Sequence, residues 1–199
     1  HGPVTPAESP ETVRTLLEAG RGIPESGADA GALVSETADL LFAHSLFNGH
    51  PRFFGYITSS AAPIGVLADF LAAAVNPNVG AWKLSPLATE IEAQTVRWIA
   101  EFIGYPADCG GLLVSGGNMA NFVGLLAART AMAGWDLRKT GLTGADSKRL
   151  LCYASSETHT WIQKAADLFG FGTDSIRWIP ADGRQRMDVS TLERRIRED

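Results

Sequence analysis

Two hydrophobic periods divide the chain: up to residue 104 apolar positions recur at helical spacing, and beyond it short apolar runs alternate with helical ones. Segments 12–18 and 28–47 predict helices, the second with Leu33, Thr37, Leu40, Leu41 and His44 near one face. Gly49-His50-Pro51 stops it. Residues 52–60 read as irregular or extended, aromatic-rich chain, because proline disfavours helix in the residue before it and Gly55 interrupts the run. Helix resumes over 63–75 and breaks at Asn76-Pro77-Asn78. Ser85-Pro86 then predicts a helix start, with a hydroxyl at the N-cap and proline at the first helical position. Leu87, Ile91, Trp98 and Phe102 share a face of this helix, which ends at Gly104.

The second half predicts strands over 111–115, 149–154 and 175–179, helices over 118–133, 160–169 and 190–197, and a polar connection over 135–148. Crossover helices force strands to run the same way, so the alternation predicts an α/β layer with a largely parallel sheet. Ala120, Phe122, Val123, Leu125, Leu126 and Ala127 cover most faces of the 118–133 helix, which predicts its burial.

Composition narrows the class. Apolar residues at 45% and charged residues at 20% permit a sizeable core, and a net charge of -5 argues against a nucleic-acid partner. Arg194, Arg195 and Arg197 interleave with Glu193, Glu198 and Asp199, as on a solvated helix face. No apolar run approaches the ~20 residues of a membrane span, and no N-terminal stretch has a signal layout, so the expected location is the cytoplasm without a membrane partner. Cys109 and Cys152 have a spacing that fits neither a zinc site nor a redox pair, and no metal is expected. His1 and Gly2 are given no functional role.

Candidate chemistry lies in two loops, Ser115-Gly116-Gly117-Asn118 and Ser155-Ser156-Glu157-Thr158-His159, each between a strand-like and a helix-like run. On parallel neighbouring strands both would open at the same sheet edge, where such sheets bind ligands. Gly116 and Gly117 let the backbone approach an anion closely, Ser115 and Asn118 add polar side chains, and a helix dipole favours negative charge. The other reading is a strand-to-helix turn capped by Asn118, since neither a Walker lysine nor a G-x-G-x-x-G pattern is present. His159 is open to two readings also: a helix-start capping residue, or an imidazole stacked on a planar ring. Together the loops suggest a phosphorylated aromatic cofactor.

Longer motifs carry a family resemblance. Ser85-Pro86-Leu87-Ala88-Thr89-Glu90-Ile91-Glu92, Leu113-Val114-Ser115-Gly116-Gly117-Asn118-Met119-Ala120-Asn121 and His159-Thr160-Trp161-Ile162-Gln163-Lys164-Ala165 resemble the pyridoxal-phosphate-dependent group II amino-acid decarboxylases. So do His50-Pro51-Arg52-Phe53-Phe54-Gly55-Tyr56 and the turn residues Asp182-Gly183 and Met187-Asp188. The resemblance covers roughly 43–199. It implies an aspartate-aminotransferase-like α/β fold, incomplete here. Residues 1–84 would be an N-terminal helical and dimerisation segment with the substrate-pocket motif, and 85–199 the first part of the cofactor domain. By the same resemblance Ser115, Gly116, Gly117 and Asn118 bind pyridoxal 5'-phosphate and His159 is the catalytic, ring-stacking residue. Tyr56, His50, Phe54 and Trp82 face an L-amino acid, with an aromatic one favoured by Phe53, Phe54, Tyr56 and Trp82. The stretch 79–82 reaches the partner's site in a homodimer, and the reaction is decarboxylation.

The sequence departs from the family at its reactive end. The lysine that tethers the cofactor and the carboxylate that partners its ring nitrogen are not identifiable. Lys139 and Lys148 lie in the polar connection, Lys83 precedes the Ser-Pro start, and Lys164 points roughly 140° from His159 on an ideal helix. Three strands would also leave open sheet edges. The expectation is therefore the N-terminal portion of a longer or cleaved polypeptide, inactive without the remainder. Asn118-Met119 stands where the family often has Ser-Glu, and Ile57-Thr58 where aromatic decarboxylases often have Phe-Pro. The alternatives are another enzyme of the same fold, a lyase or transaminase, and a non-catalytic accessory domain that lacks the lysine.

Overall fold

The computed structural model describes residues 3–145 and 147–199; His1, Gly2 and Asp146, the last within the predicted polar connection, lie outside the described residues. Helix starts follow the local chemistry closely. In α1 (Pro10–Leu16) the Ser9 hydroxyl accepts the Thr12 N–H and Pro10 sits in the first turn. In α2 (Ala30–His44) the Asp29 carboxylate accepts the Ala32 N–H at 2.8 Å. Helix α3 (Pro63–Val75) again begins on proline and closes on Asn76, whose φ of 47° is the left-handed conformation that ends helices.

These three helices belong to the first of two compact units into which the chain divides after Gly80. None of the three contains a buried residue. Ile64 and Phe70 of α3 are 75% and 73% exposed. Within this unit, His44 Nδ1 lies 2.7 Å from the Glu8 carboxylate, and the Phe47 N–H donates to the Val4 carbonyl at 3.2 Å. The end of α2 is thereby tied to the residues ahead of α1.

The second unit holds the α/β part. Helix α4 (Pro86–Phe102) leads through an extended segment to α5 (Gly116–Met132), and a single helical turn, α6 (Leu137–Thr140), interrupts the predicted polar connection. Strand β1 (Cys152–Ser155), helix α7 (Trp161–Leu168) and strand β2 (Ile176–Ile179) form a parallel crossover unit with Cys152 opposite Ile176 and Ser155 opposite Ile179. The core gathers where α7 covers the two strands: Ala154, Ile162, Ala166 and Ile176, flanked by Cys152, Trp161 and Phe171. Ile179 is 0% exposed. Burial pushes the thiol of Cys152, which packs against this core, above its ordinary range.

After β2 the predicted turn forms. Ala181 bridges Met187, and the Asp182 carboxylate accepts the N–H groups of Arg184 and Arg186 and pairs with the Arg186 guanidinium at 2.8 Å. Helix α8 (Val189–Glu198) starts on Asp188, which accepts from the Ser190 and Thr191 backbone and side chains. Its far end is fixed to both strands. The Asp199 carboxylate receives Arg177 at 2.8–2.9 Å and the Tyr153 hydroxyl at 3.1 Å, and Tyr153 and Arg177 are register partners.

Three sequence expectations require correction. Residues 111–115 form no strand and lie outside the sheet, which contains β1 and β2 among the described residues. The apolar run has strand character, yet no neighbouring strand offers it a ladder. Helix α5 is not buried: Phe122, Val123, Leu125 and Leu126 are half-buried while Met119 and Met132 are exposed, because α7 covers one side and nothing described covers the other. The Ser85 hydroxyl makes no cap hydrogen bond, although Pro86 does open α4.

The hydrogen bonds from Ser190 first, then Thr191, hold the Asp188 carboxyl down at about 2. A depressed carboxylate contributes stability above its unfolded pKa of ~3.9 and loses it as pH falls through its folded value. Asp188→Ala is therefore expected to lower Tm at pH 6, and the gap to wild type to narrow as pH drops from 4 to 2; a pH series of thermal melts with a constant gap would contradict this.

Candidate functional site

The glycine turn starts a helix without a side-chain cap. Ser115 occupies the N-cap position of α5 in extended conformation, but no side chain accepts from the first turn. The helix begins at Gly116, two residues ahead of Asn118, so Asn118 is not the cap. Gly116 has φ +80°, a conformation that a side chain strains, and a Cβ built on Gly116 or Gly117 meets nothing within 4 Å. No side chain caps the first N–H groups of α5, and Ser115, Gly116, Gly117 and Asn118 are all exposed. Backbone donors, the positive end of the helix dipole and absence of a competing carboxylate in the first turn fit a phosphate.

His159 is fixed by its backbone neighbour. Its Nδ1 accepts at 3.2 Å from the N–H of Trp161, the first residue of α7, although the N-cap position itself is Thr160. That bond requires Nδ1 without a proton, places the proton of the neutral ring on Nε2 and leaves an exposed, oriented imidazole. The preceding loop is tied down as well. The Ser156 N–H extends the ladder to the Ile179 carbonyl at 2.8 Å, and the Thr158 N–H returns to the Ser155 carbonyl at 2.9 Å.

The two loops do not sit on paired strands, because 111–115 lies outside the sheet. Their helices nevertheless pack on each other: Phe122 of α5 meets Phe169 edge-on at 5.3 Å, and Arg129 donates to the Phe169 carbonyl at 3.4 Å. Trp82, also in the second unit, donates its indole N–H to Glu90 at 2.8 Å and remains half exposed.

The other predicted residues fall in the first unit. His50 is half-buried and its Nδ1 accepts the Arg52 N–H at 3.1 Å. Phe54 and Tyr56 are 91% and 88% exposed, and the Tyr56 ring lies 6.4 Å from that of Phe53. Tyr56 has φ +59°, uncommon for a bulky residue and not legible from sequence. The sequence pattern also gives Glu92 no role of its own. Its carboxylate accepts the Leu113 N–H at 2.7 Å, a contact across 21 positions that no local pattern signals. Among the described residues no cluster of three or more His, Cys, Asp or Glu side chains could hold a metal ion, and no helix is long and apolar enough to cross a membrane.

Fold and turn chemistry together define an α/β portion with a small parallel sheet. Residues 10–199 match the pyridoxal-dependent decarboxylase conserved domain, and the chain belongs to this family. It is 32% identical to the aromatic-L-amino-acid decarboxylase of Bacillus atrophaeus over 99% of this chain and 38% of the relative, and 29% identical to the acidic amino acid decarboxylase GADL1 of Bos taurus over 95% and 35%. Its fold is similar to mouse CSAD (TM-score 0.84, 26% identity, 97% of this chain and 39% of that one) and to Oryza sativa TDC with PLP and tryptamine (TM-score 0.83, 28% identity, 98% and 41%). The chain therefore spans about two-fifths or less of the relatives it matches.

Gly116→Val is expected to cost about 1–2 kcal/mol from the left-handed backbone, with Gly116→Asn costing less because asparagine tolerates that conformation. Denaturant midpoints measure the pair, and equal losses would place the cause in something other than φ.

Proposed function

We propose that the polypeptide containing this chain decarboxylates an L-amino acid, with an aromatic substrate favoured, and that residues 85–199 supply the phosphate-holding and ring-stacking part of the cofactor site. The uncapped start of α5 at Gly116 carries the reading: no side chain caps its donors, no acidic residue stands in its first turn, and residues 115–118 are exposed. The N–H groups that follow Ser115 and the Asn118 amide hold the phosphate of pyridoxal 5'-phosphate. His159 offers its ring face to the pyridine, its orientation secured by the Trp161 N–H. The cofactor, when bound, supplies an electron sink for the charge left by loss of carbon dioxide.

Tyr56, His50, Phe54 and Trp82 take the substrate role. The exposed rings of Phe54 and Tyr56 and the relation to an aromatic decarboxylase support an aromatic side chain. Residues 1–84 act as the helical and dimerisation segment. The described residues expose 15590 Å², whereas two separate compact bodies of these sizes would expose about 11,000 Å² together. That excess supports cover from the remainder of the polypeptide and from a second copy in a homodimer.

The test is carbon dioxide release from aromatic and acidic L-amino acids by the complete protein with pyridoxal phosphate. Release from aromatic substrates is expected, and Asn118→Ala is expected to weaken cofactor binding about tenfold, as loss of a hydrogen bond to a charged group does. Keto-acid formation without carbon dioxide would overturn the decarboxylase reading, and wild-type protein that fails to bind the cofactor would overturn both.

A further inference from the structure

The approach to the phosphate turn is held from one side by α4. Two contacts do this, one helical turn apart. The Glu92 carboxylate accepts the Leu113 N–H at 2.7 Å, and Val96 lies so close to Gly111 that a Cβ built there would meet Val96 Cγ1 at 2.6 Å. Glu92 and Val96 are four apart on one helix face, and their partners Leu113 and Gly111 are two apart in the segment that leads to α5. The spacings are in step, since four helical residues rise about 6 Å and two extended residues span about 6.6 Å.

The segment runs antiparallel to α4, with the later residue, Leu113, opposite the earlier helix position, Glu92. Within a sheet, the Leu113 N–H would be satisfied by a neighbouring strand; here a half-buried carboxylate is its acceptor. A charged acceptor makes this a strong bond, and the missing Cβ of Gly111 lets the backbone seat against the stiff Val96 side chain. A slip of one residue would break both contacts and displace everything downstream by about 3.3 Å. Ser115 is only two residues beyond Leu113.

We propose that Glu92 is a positioning residue for the cofactor phosphate: through the Leu113 N–H, and with Val96 on Gly111, it sets the register in which residues 115–118 present their backbone donors. This rests on the reading of that turn as the phosphate site. Glu92 touches neither cofactor nor substrate in this role. Its effect passes through the backbone of 113–115 and falls on the phosphate alone.

The experiment compares dissociation constants for pyridoxal phosphate and for pyridoxal, which lacks the phosphate, in the complete protein. Glu92→Ala is expected to weaken pyridoxal phosphate about tenfold, as loss of a hydrogen bond to a charged group does, and to leave pyridoxal within about twofold. Glu92→Gln keeps a carbonyl acceptor and should stay within about threefold of wild type for both ligands. Gly111→Ala, which pushes the segment off Val96 without touching Glu92, should repeat the selective loss and serves if Glu92→Ala fails to fold. Equal weakening of both ligands, or no weakening by either variant, would overturn the proposal while leaving the phosphate site standing. Wild-type protein that binds the two ligands equally would remove the phosphate site itself, and this inference with it.

Discussion

Parallel strands cannot be joined by a tight turn, and that constraint organises the second unit. Cys152–Ser155 and Ile176–Ile179 pair only because α7 carries the chain back across them, and the apolar side of α7 is what the strands are buried against. Ile162 and Ala166 cluster with Ala154 and Ile176 of the strands in this contact. The rest is arranged around it: α8 is clamped to the outer ends of both strands through Asp199, and α5 is held to α7 through Phe122 and Phe169. Position 159 is where it is because β1 ends and α7 begins there.

Away from that crossover, helical order and burial part company. Helices α3 and α5 have apolar sequences, yet neither contains a buried residue. Isolated helices of this length are marginal, and tertiary cover normally supplies most of their stability. The matched relatives are more than twice as long as this chain, so apolar helix faces without local cover accord with the share of the family domain that it spans.

What the sequence made legible follows from the same division. Local chemistry was readable: the bounds of 63–75 coincide with α3 because Pro63 and Asn76 punctuate them, and the α7, β2 and α8 predictions fall within one or two residues of the structure. Pairing was not. Residues 111–115 have strand composition, but whether an apolar run enters a sheet depends on a partner that no local pattern specifies. The α5 helix formed within two residues of its prediction, but its expected burial failed for the matching reason, since an all-round apolar helix says what it needs and not what is present to meet it. Among candidate residues, the uncapped turn and the His159 cap lay within their alternatives. The left-handed Tyr56 and the Glu92 bond to a residue 21 positions away carried no local signal.

The candidate cofactor site is accordingly built from pieces whose geometry is settled locally and whose mutual placement is settled by packing. Gly116 takes its left-handed conformation on its own, and His159 is oriented by a residue two positions along its own chain. Neither depends on the other. What relates them is the edge-on contact of Phe122 with Phe169 and the Arg129 bond to the Phe169 carbonyl, both far along the helices from the loops they serve. Small rotations at that contact would swing the helix starts by more than they move the rings, because the starts lie at the ends of the levers. A turn that must meet a phosphate therefore gains from a second restraint close to it, and α4 is the element placed to give one, at Leu113 and Gly111.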